Sequence, residues 1–368
     1  MKIGIIHTES TYYAGAERVL DYYLQGLVET PVEAVVFYGR GSKVEQFIPA
    51  KYRKVALDGV QGFHPVNLWR AAAQIKAVSL EEGGFDLLHA WAARGWDLAG
   101  LAGWRMGVPV LGTLHDSPGS LYISRWRRVL MRFSAARLLK SYACVSHALI
   151  LECQRFGYPT SHATVVHNGL PDRPLARMEP ADSKVRLGFL GGFLPGKGLD
   201  EMFGILDQLW ASGCQNWKLS LAGGTSHAES EAFMAGLAGK YSGRGWWKAI
   251  EWPGWVVDCH PFLSRIDLLI VPSSGFDSLP TVVLEAYRAG TPVLGSRIGG
   301  IPELIEEGKT GWVFDTKASD RGAAILQGLL EDRRSLKRAG EGARQRFAGE
   351  FSLRKMVAEY TRLYSTLV

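Results

Sequence analysis

Short apolar runs, each followed by a segment with apolar residues at helical spacing, recur along the whole chain. In the first half they fall at residues 2–7, 32–38, 85–90, 108–114, 143–146 and 163–167. In the second half they fall at 185–190, 218–222, 250–252, 267–271, 292–295 and 312–314. Strand-like runs alternating with helical patterns predict an α/β fold built from βα units and parallel sheets. The two similar halves predict two Rossmann-like, doubly wound domains. Residues 169–183, GLPDRPLARMEPADS, break the pattern with three prolines and no periodicity, as a linker does. The expected division is 1–170 for the first domain, 171–183 for the linker, 184–350 for the second domain and 351–368 for a final helix. In that helix Met356, Tyr360, Leu363 and Leu367 share a face. Ligands of such sheets bind beyond the carboxyl ends of the strands, so two facing domains would enclose a cleft there.

A length of 368 residues with 47% hydrophobic and 21% charged residues fits two ordinary globular domains. No apolar run approaches the ~20 residues that span a bilayer, and the opening MKIGIIHTES lacks a signal-type apolar stretch. Cys144, Cys153, Cys214 and Cys259 are scattered without metal-ligand spacing, the pattern of reduced core thiols. A cytoplasmic location is expected, with peripheral attachment at the inner face of a membrane as its variant.

The net charge of +6 is concentrated. Residues 121–141, LYISRWRRVLMRFSAARLLKS, carry Arg125, Arg127, Arg128, Arg132, Arg137 and Lys140 and no acid. On a helix, Trp126, Val129, Leu130 and Phe133 form one apolar stripe between the cations. Two readings stand: a surface that docks on anionic lipid, or a solvated helix packed on its own domain by that stripe. No recognition motif accompanies the charge, so nucleic acid is not an expected partner.

Residues 191–198, GGFLPGKG, meet most of the G-x-x-x-x-G-K-[ST] phosphate-loop pattern. The last position is Gly198, which has no hydroxyl for Mg²⁺, so a phosphate-binding loop of another kind is expected. Pro280 suits the first turn of a helix over 281–289, whose N-terminal amides form an anion site beside Ser278, Leu279 and Thr281. Asp277 and Glu285, with seven residues between them, could accept hydrogen bonds from sugar hydroxyls. The plainer reading is that Asp277 complements the helix dipole and Glu285 makes a surface or interdomain ion pair. No Ser-His-Asp order, metal cluster or Gly-x-Gly-x-x-Gly after the first strand points to a hydrolase, a metalloenzyme or a dinucleotide oxidoreductase.

Asp277 to Glu285, continued as LEAYRAGTPVLGSRIGGIPELIEEGKTGWVFD, closely resembles the nucleotide-sugar signature of retaining GT-B glycosyltransferases of family 4. AGAERV at 14–19, TLHD at 113–116, CVSHAL at 144–149, HNGL at 167–170, GGFLPGKG and the closing FSLRKMVAEYTRLY resemble further family motifs in the same order. The resemblance implies that Glu285 holds the ribose and that Asp277 and His115 contact the donor sugar. It implies that Lys197 pairs with the diphosphate and that Gly15 and Gly192 lie beside it. Backbone groups at Ser278, Leu279, Pro280 and Thr281 would meet sugar and phosphate oxygens, and those around Val256 would hold the base. It implies a final helix packed back on the first domain, and a hexosyl transfer from a UDP- or GDP-sugar to a glycan or lipid-linked glycan, without metal or other cofactor. Three departures stand out: Gly192 replaces an Arg, Asp277 replaces a Glu, and Ala14 replaces a Gly. With them, a non-catalytic nucleotide-sugar-binding relative or a GT-B phosphorylase or epimerase remains the alternative. From the residues alone, His115 reads equally as a strand-end imidazole bonded to backbone.

Overall fold

Thirteen strands form two separate parallel sheets in the computed structural model, which describes residues 1–8, 15–60, 64–120, 123–173, 183–225 and 228–368. Ala14, residues 121–122 of the basic segment and residues 174–182 of the expected linker lie outside the described residues. The first sheet comprises β1 (Lys2–His7), β2 (Glu33–Gly39), β3 (Arg53–Leu57), β4 (Leu87–Ala90), β5 (Val110–Leu114), β6 (Ser141–Cys144) and β7 (Ala163–Val165). Its strand order is β3-β2-β1-β4-β5-β6-β7. The second comprises β8 (Val185–Gly192), β9 (Trp217–Gly224), β10 (Ile250–Gly254), β11 (Leu268–Val271), β12 (Val293–Ser296) and β13 (Gly311–Phe314), in the order β10-β9-β8-β11-β12-β13. Both orders reverse direction beside their first strand, the doubly wound arrangement whose crevice at the reversal takes ligands.

The chain divides into two compact units, Met1–Pro171 with Ser352–Val368, and Asp172–Phe351. Among the described residues the first half holds seven strands, not six. The extra one, β3, reads RKVAL with its first two residues exposed, so an edge strand this short and basic leaves no apolar run to detect. The other strands follow the apolar runs because parallel strands covered on both faces are apolar throughout; β4 and β5 are buried at every position.

The final helix, Leu353–Leu367, belongs to the first unit. Met356, Val357, Tyr360 and Tyr364 are buried with Tyr23, Trp91 and Val166 in one core. The HNGL segment receives it: Leu170 O accepts from Leu353 N at 2.7 Å, and a Cβ at Gly169 would stand 2.5 Å from Ser352 O. A buried chain of hydroxyls and imidazole holds the contact. His89 bonds the Tyr364 hydroxyl at 2.7 Å and Thr113 Oγ1 at 2.8 Å, and the Tyr360 hydroxyl reaches Thr113 at 3.2 Å.

All four cysteines are free thiols, three of them buried. Among the described residues no helix is long and apolar enough to cross a membrane.

Candidate active site

The second unit gathers its chemistry at the carboxyl ends of β8, β11 and β12. After β8 the chain makes a tight turn at Pro195–Lys197 and enters the helix Leu199–Ala211 through Gly198. Gly198 has φ +76°, and a Cβ there would lie 1.9 Å from Pro272 O, so only glycine lets this loop close against the end of β11. Main-chain bonds fix the approach: Gly196 O accepts from Ser274 N at 3.1 Å and Gly275 N at 3.0 Å.

That closure brings two charges together. Lys197 Nζ donates to Asp277 Oδ2 at 2.8 Å, with the lysine 42% and the aspartate 16% exposed. Asp277 is also held through its main chain, where its carbonyl accepts from Gly300 N at 2.8 Å. Gly299, at φ +56°, would place a Cβ 2.1 Å from the same carbonyl. The Gly-Gly-x-Pro-Glu turn is therefore a clamp on the main chain of Asp277. Ser296, at the end of β12, donates its hydroxyl to Ser273 O at 2.7 Å and steadies the same loop.

The helix Thr281–Arg288 starts at Pro280. Its uncapped first amides and dipole face the loop end, the geometry that favours an anion. Ser278 and Leu279 are buried just before it, and Glu285 is buried one turn in, together with Arg288. Glu285 is therefore not a surface carboxylate. The missing Arg at Gly192 is not a steric necessity, since the nearest atom to a Cβ there is Leu194 Cδ1 at 3.7 Å. Arg297 is exposed directly after β12.

Val256 is half-buried in the loop after β10, between exposed Trp255 and Val257. Phe193 meets Trp252 in a T-shaped contact at 6.1 Å, and Trp252 lies tilted against Trp247 at 5.7 Å.

In the first unit His115 follows β5. Its Nε2–H donates to Trp91 O at 3.0 Å, as the purely structural reading predicts. Burial pushes its pKa down to about 4, and His7 nearby acts in the same direction against the backbone bond. The ring is therefore neutral with Nδ1 as a bare acceptor, closed from solvent and without a partner among the described residues. Gly15 opens the helix Gly15–Leu27, and a Cβ there would meet nothing within 4 Å, so the protein's own packing does not require glycine at this position. Trp91 was not foreseen. Its Nε1–H donates to Ala16 O at 3.0 Å while its carbonyl holds His115, which ties the first turn of the helix Gly15–Leu27 to the segment after β5. A tryptophan directly after an apolar strand is the only signal the sequence carries of this. Buried Glu17 lies 3.5 Å from His7 Nε2, a pair joining β1 to its following helix.

Two family models account for nearly the whole chain. "Glycosyltransferase Family 4" matches residues 13–173 and "Glycosyl transferases group 1" matches residues 176–346. The chain belongs to the GT-B glycosyltransferases. This glycosyltransferase is 23% identical over 364 residues to the lipopolysaccharide core biosynthesis glycosyltransferase LpsE of Rhizobium meliloti (strain 1021), covering 96% of each chain. Over 102 residues, 28% of this chain and 26% of the relative, it is 34% identical to the N-acetyl-alpha-D-glucosaminyl L-malate synthase of Bacillus anthracis. Its fold matches that of Anabaena Alr3699/HepE, solved in complex with UDP, at a TM-score of 0.84 over 100% of both chains with 19% identity. The two Rossmann-like units are thus those of a GT-B enzyme.

Proposed function

We propose that this glycosyltransferase moves a hexosyl group from a UDP- or GDP-sugar to a hydroxyl of a glycan or lipid-linked glycan, with retention at the anomeric carbon and without a metal ion. The arrangement that carries the reading is Lys197 clamped beside Asp277 at the N-terminal end of the helix that bears buried Glu285. Further support comes from Anabaena Alr3699/HepE, solved with UDP and with UDP-glucose, and from LpsE, named for lipopolysaccharide core biosynthesis.

In this reading Lys197 and the amides at Ser278, Leu279 and Thr281 take the charge of the departing diphosphate, stabilisation that grows as the bond breaks. Glu285 accepts from the ribose hydroxyls, and main-chain groups around Val256 hold the base. Asp277 accepts from a sugar hydroxyl, and the half-buried, neutral ring of His115, held by Trp91 O, contacts the donor sugar. The acceptor oxygen bonds to the anomeric carbon, the bond from that carbon to the phosphate oxygen breaks, and the acceptor's proton passes to the leaving phosphate. No protein base is needed. Gly192 and Asp277, two of the three departures from the family pattern, favour a second reading as a nucleotide-sugar-binding relative without turnover.

The test is incubation with UDP- and GDP-sugars and candidate glycan acceptors in excess chelator. Release of nucleoside diphosphate with a product of unchanged anomeric configuration by proton NMR is the expected result. Inversion, or a requirement for divalent metal, would remove those parts of the proposal. Nucleotide-sugar binding with no product from any acceptor would favour the second reading. Phosphate-dependent glycan cleavage or acceptor-free sugar interconversion would identify a phosphorylase or an epimerase.

A further inference from the structure

The chain passes from the first unit to the second at Pro171–Asp172 and returns at Phe351–Ser352. The first two residues beyond the outward crossing are charged, and the second unit holds both. Asp172 accepts from Arg344 Nη2 at 2.9 Å, on the helix Arg333–Glu350 that leads to the return crossing. Arg173 pairs with Asp258 Oδ2 at 2.8 Å.

Asp258 does more than balance that charge. It stands directly after the loop 254–257, and its other oxygen, Oδ1, accepts from His260 N at 3.2 Å and caps the helix Cys259–Arg265. One carboxylate therefore ends the loop, starts the helix and receives Arg173. A helix this short has little cooperativity of its own, so the cap decides where its first turn sits. A second hold lies beneath. The His260 side chain is fully enclosed, and the main chain of Arg173 faces its ring. Burial, and then the nearby cations Arg288 and Arg173, keep its pKa below the ordinary histidine value, so the ring is uncharged at neutral pH. Arg173 thus meets the helix start twice, with its guanidinium at Asp258 and its main chain at His260.

The loop has little else to fix it. Trp255 is 69% and Val257 88% exposed, and Gly254, at φ +75°, would place a Cβ with nothing within 4 Å. The pairing of β10 with β9 also shifts register between Glu251 and Gly254, just where the loop begins.

We propose that Arg173 is a positioning residue for the nucleotide: through Asp258 and His260 it fixes the loop 254–257, whose main chain takes the base. The inference rests on the reading that places the base at Val256. Arg173 touches no substrate and acts through the capped helix start. It thereby joins the segment between the two units to the base loop. With Arg173 59% and Asp258 43% exposed, the ion pair contributes little to global stability, so its loss is read in the loop and not in the melting temperature.

The test combines calorimetry of the full chain with UDP, GDP and inorganic pyrophosphate and hydrogen exchange of residues 254–260 without ligand. Arg173→Gln and Asp258→Asn should each weaken nucleoside diphosphate binding about threefold, because Asn still caps the helix and only the ion pair is lost. The double variant should bind no more weakly than either single one, since both remove the same interaction. Arg173→Lys should retain most of the affinity. Pyrophosphate, which has no base, should bind every variant as it binds the wild type. Without ligand, amides of 254–260 should exchange about threefold faster in Arg173→Gln. In Arg344→Gln, which loosens only the hold on Asp172, they should exchange at the wild-type rate. Unchanged exchange at 254–260 in Arg173→Gln, additive losses in the double variant, or an equal loss of pyrophosphate affinity would each overturn the proposal. Faster loop exchange in a protein that binds neither UDP nor GDP would support the hold of Arg173 on the loop and overturn the base assignment instead.

Discussion

Lys197 and Asp277, eighty residues apart, meet at 2.8 Å because Gly198 allows the loop after β8 to close on the end of β11. The cation assigned to the diphosphate and the carboxylate assigned to the sugar are therefore one pair in the structure. A carboxylate this close also opposes an incoming diphosphate. Asp277→Asn should release Lys197 and tighten binding of the nucleoside diphosphate about fivefold, roughly 1 kcal/mol for a partly exposed pair, while slowing transfer. Calorimetry and initial rates measure the two effects. Weaker diphosphate binding in Asp277→Asn would show that the carboxylate does not compete.

In the proposed role, the burial of Glu285 shields its hydrogen bonds to the ribose hydroxyls from solvent. Glu285→Gln keeps the shape and removes the charge, and should cost about 1.5–3 kcal/mol of nucleotide affinity. A titration with the free nucleotide reads this without any acceptor, and unchanged affinity would refute the ribose role.

Gly299→Ala should be harmful although the residue bears no functional group. Its φ of +56° and the 2.1 Å approach of a Cβ to Asp277 O leave no room, and a strained or displaced clamp costs about 1–3 kcal/mol. The transfer rate should fall by more than the loss of folded protein explains. A variant that melts lower but transfers at the wild-type rate would show that the clamp serves stability alone.

Gly192→Arg should be tolerated, since the nearest atom to a Cβ is 3.7 Å away. A guanidinium on this strand end would add a fork for phosphate oxygens. Tighter nucleoside diphosphate binding at an unchanged melting temperature is the expected pair of results, and it should weaken with salt.

Burial pushes the pKa of His89 down to about 3, with His115 acting in the same direction. Between the ordinary histidine value of 6.5 and about 3, the unfolded chain takes up a proton at this position and the folded chain does not. Stability is therefore complete above that window and declines as pH falls through it, by about 1.4 kcal/mol per pH unit for this group. His115 adds the same sign over its narrower window, down to about 4. His89→Gln loses bonds to Tyr364 and Thr113 and should be less stable at neutral pH, yet its stability should fall less steeply from pH 6.5 to 4.5. Equal slopes in denaturant titrations would place the acid sensitivity elsewhere.

Apolar runs between glycine and proline signals were enough to place twelve of the thirteen strands, because a parallel strand covered on both faces must be apolar and its ends must turn. Motif order placed His115 and Lys197 in the segments after strands, Asp277 just before the next helix and Glu285 inside it. The sequence could not show that Lys197 reaches Asp277, that Gly299 and Gly300 exist to grip the main chain of Asp277, or that Trp91 links His115 to Ala16. These depend on how closely loops from non-adjacent stretches approach, and a glycine's place in a motif does not reveal which carbonyl it makes room for. Nor could the periodicity of Trp126, Val129 and Phe133 say which way their stripe points. An amphipathic helix has two faces that satisfy the same spacing. Here Arg127 donates to buried Asp97 at 2.8 Å while Trp126, Val129 and Phe133 stay exposed, so the stripe does not seat the helix on its own domain, an orientation that only the tertiary structure decides.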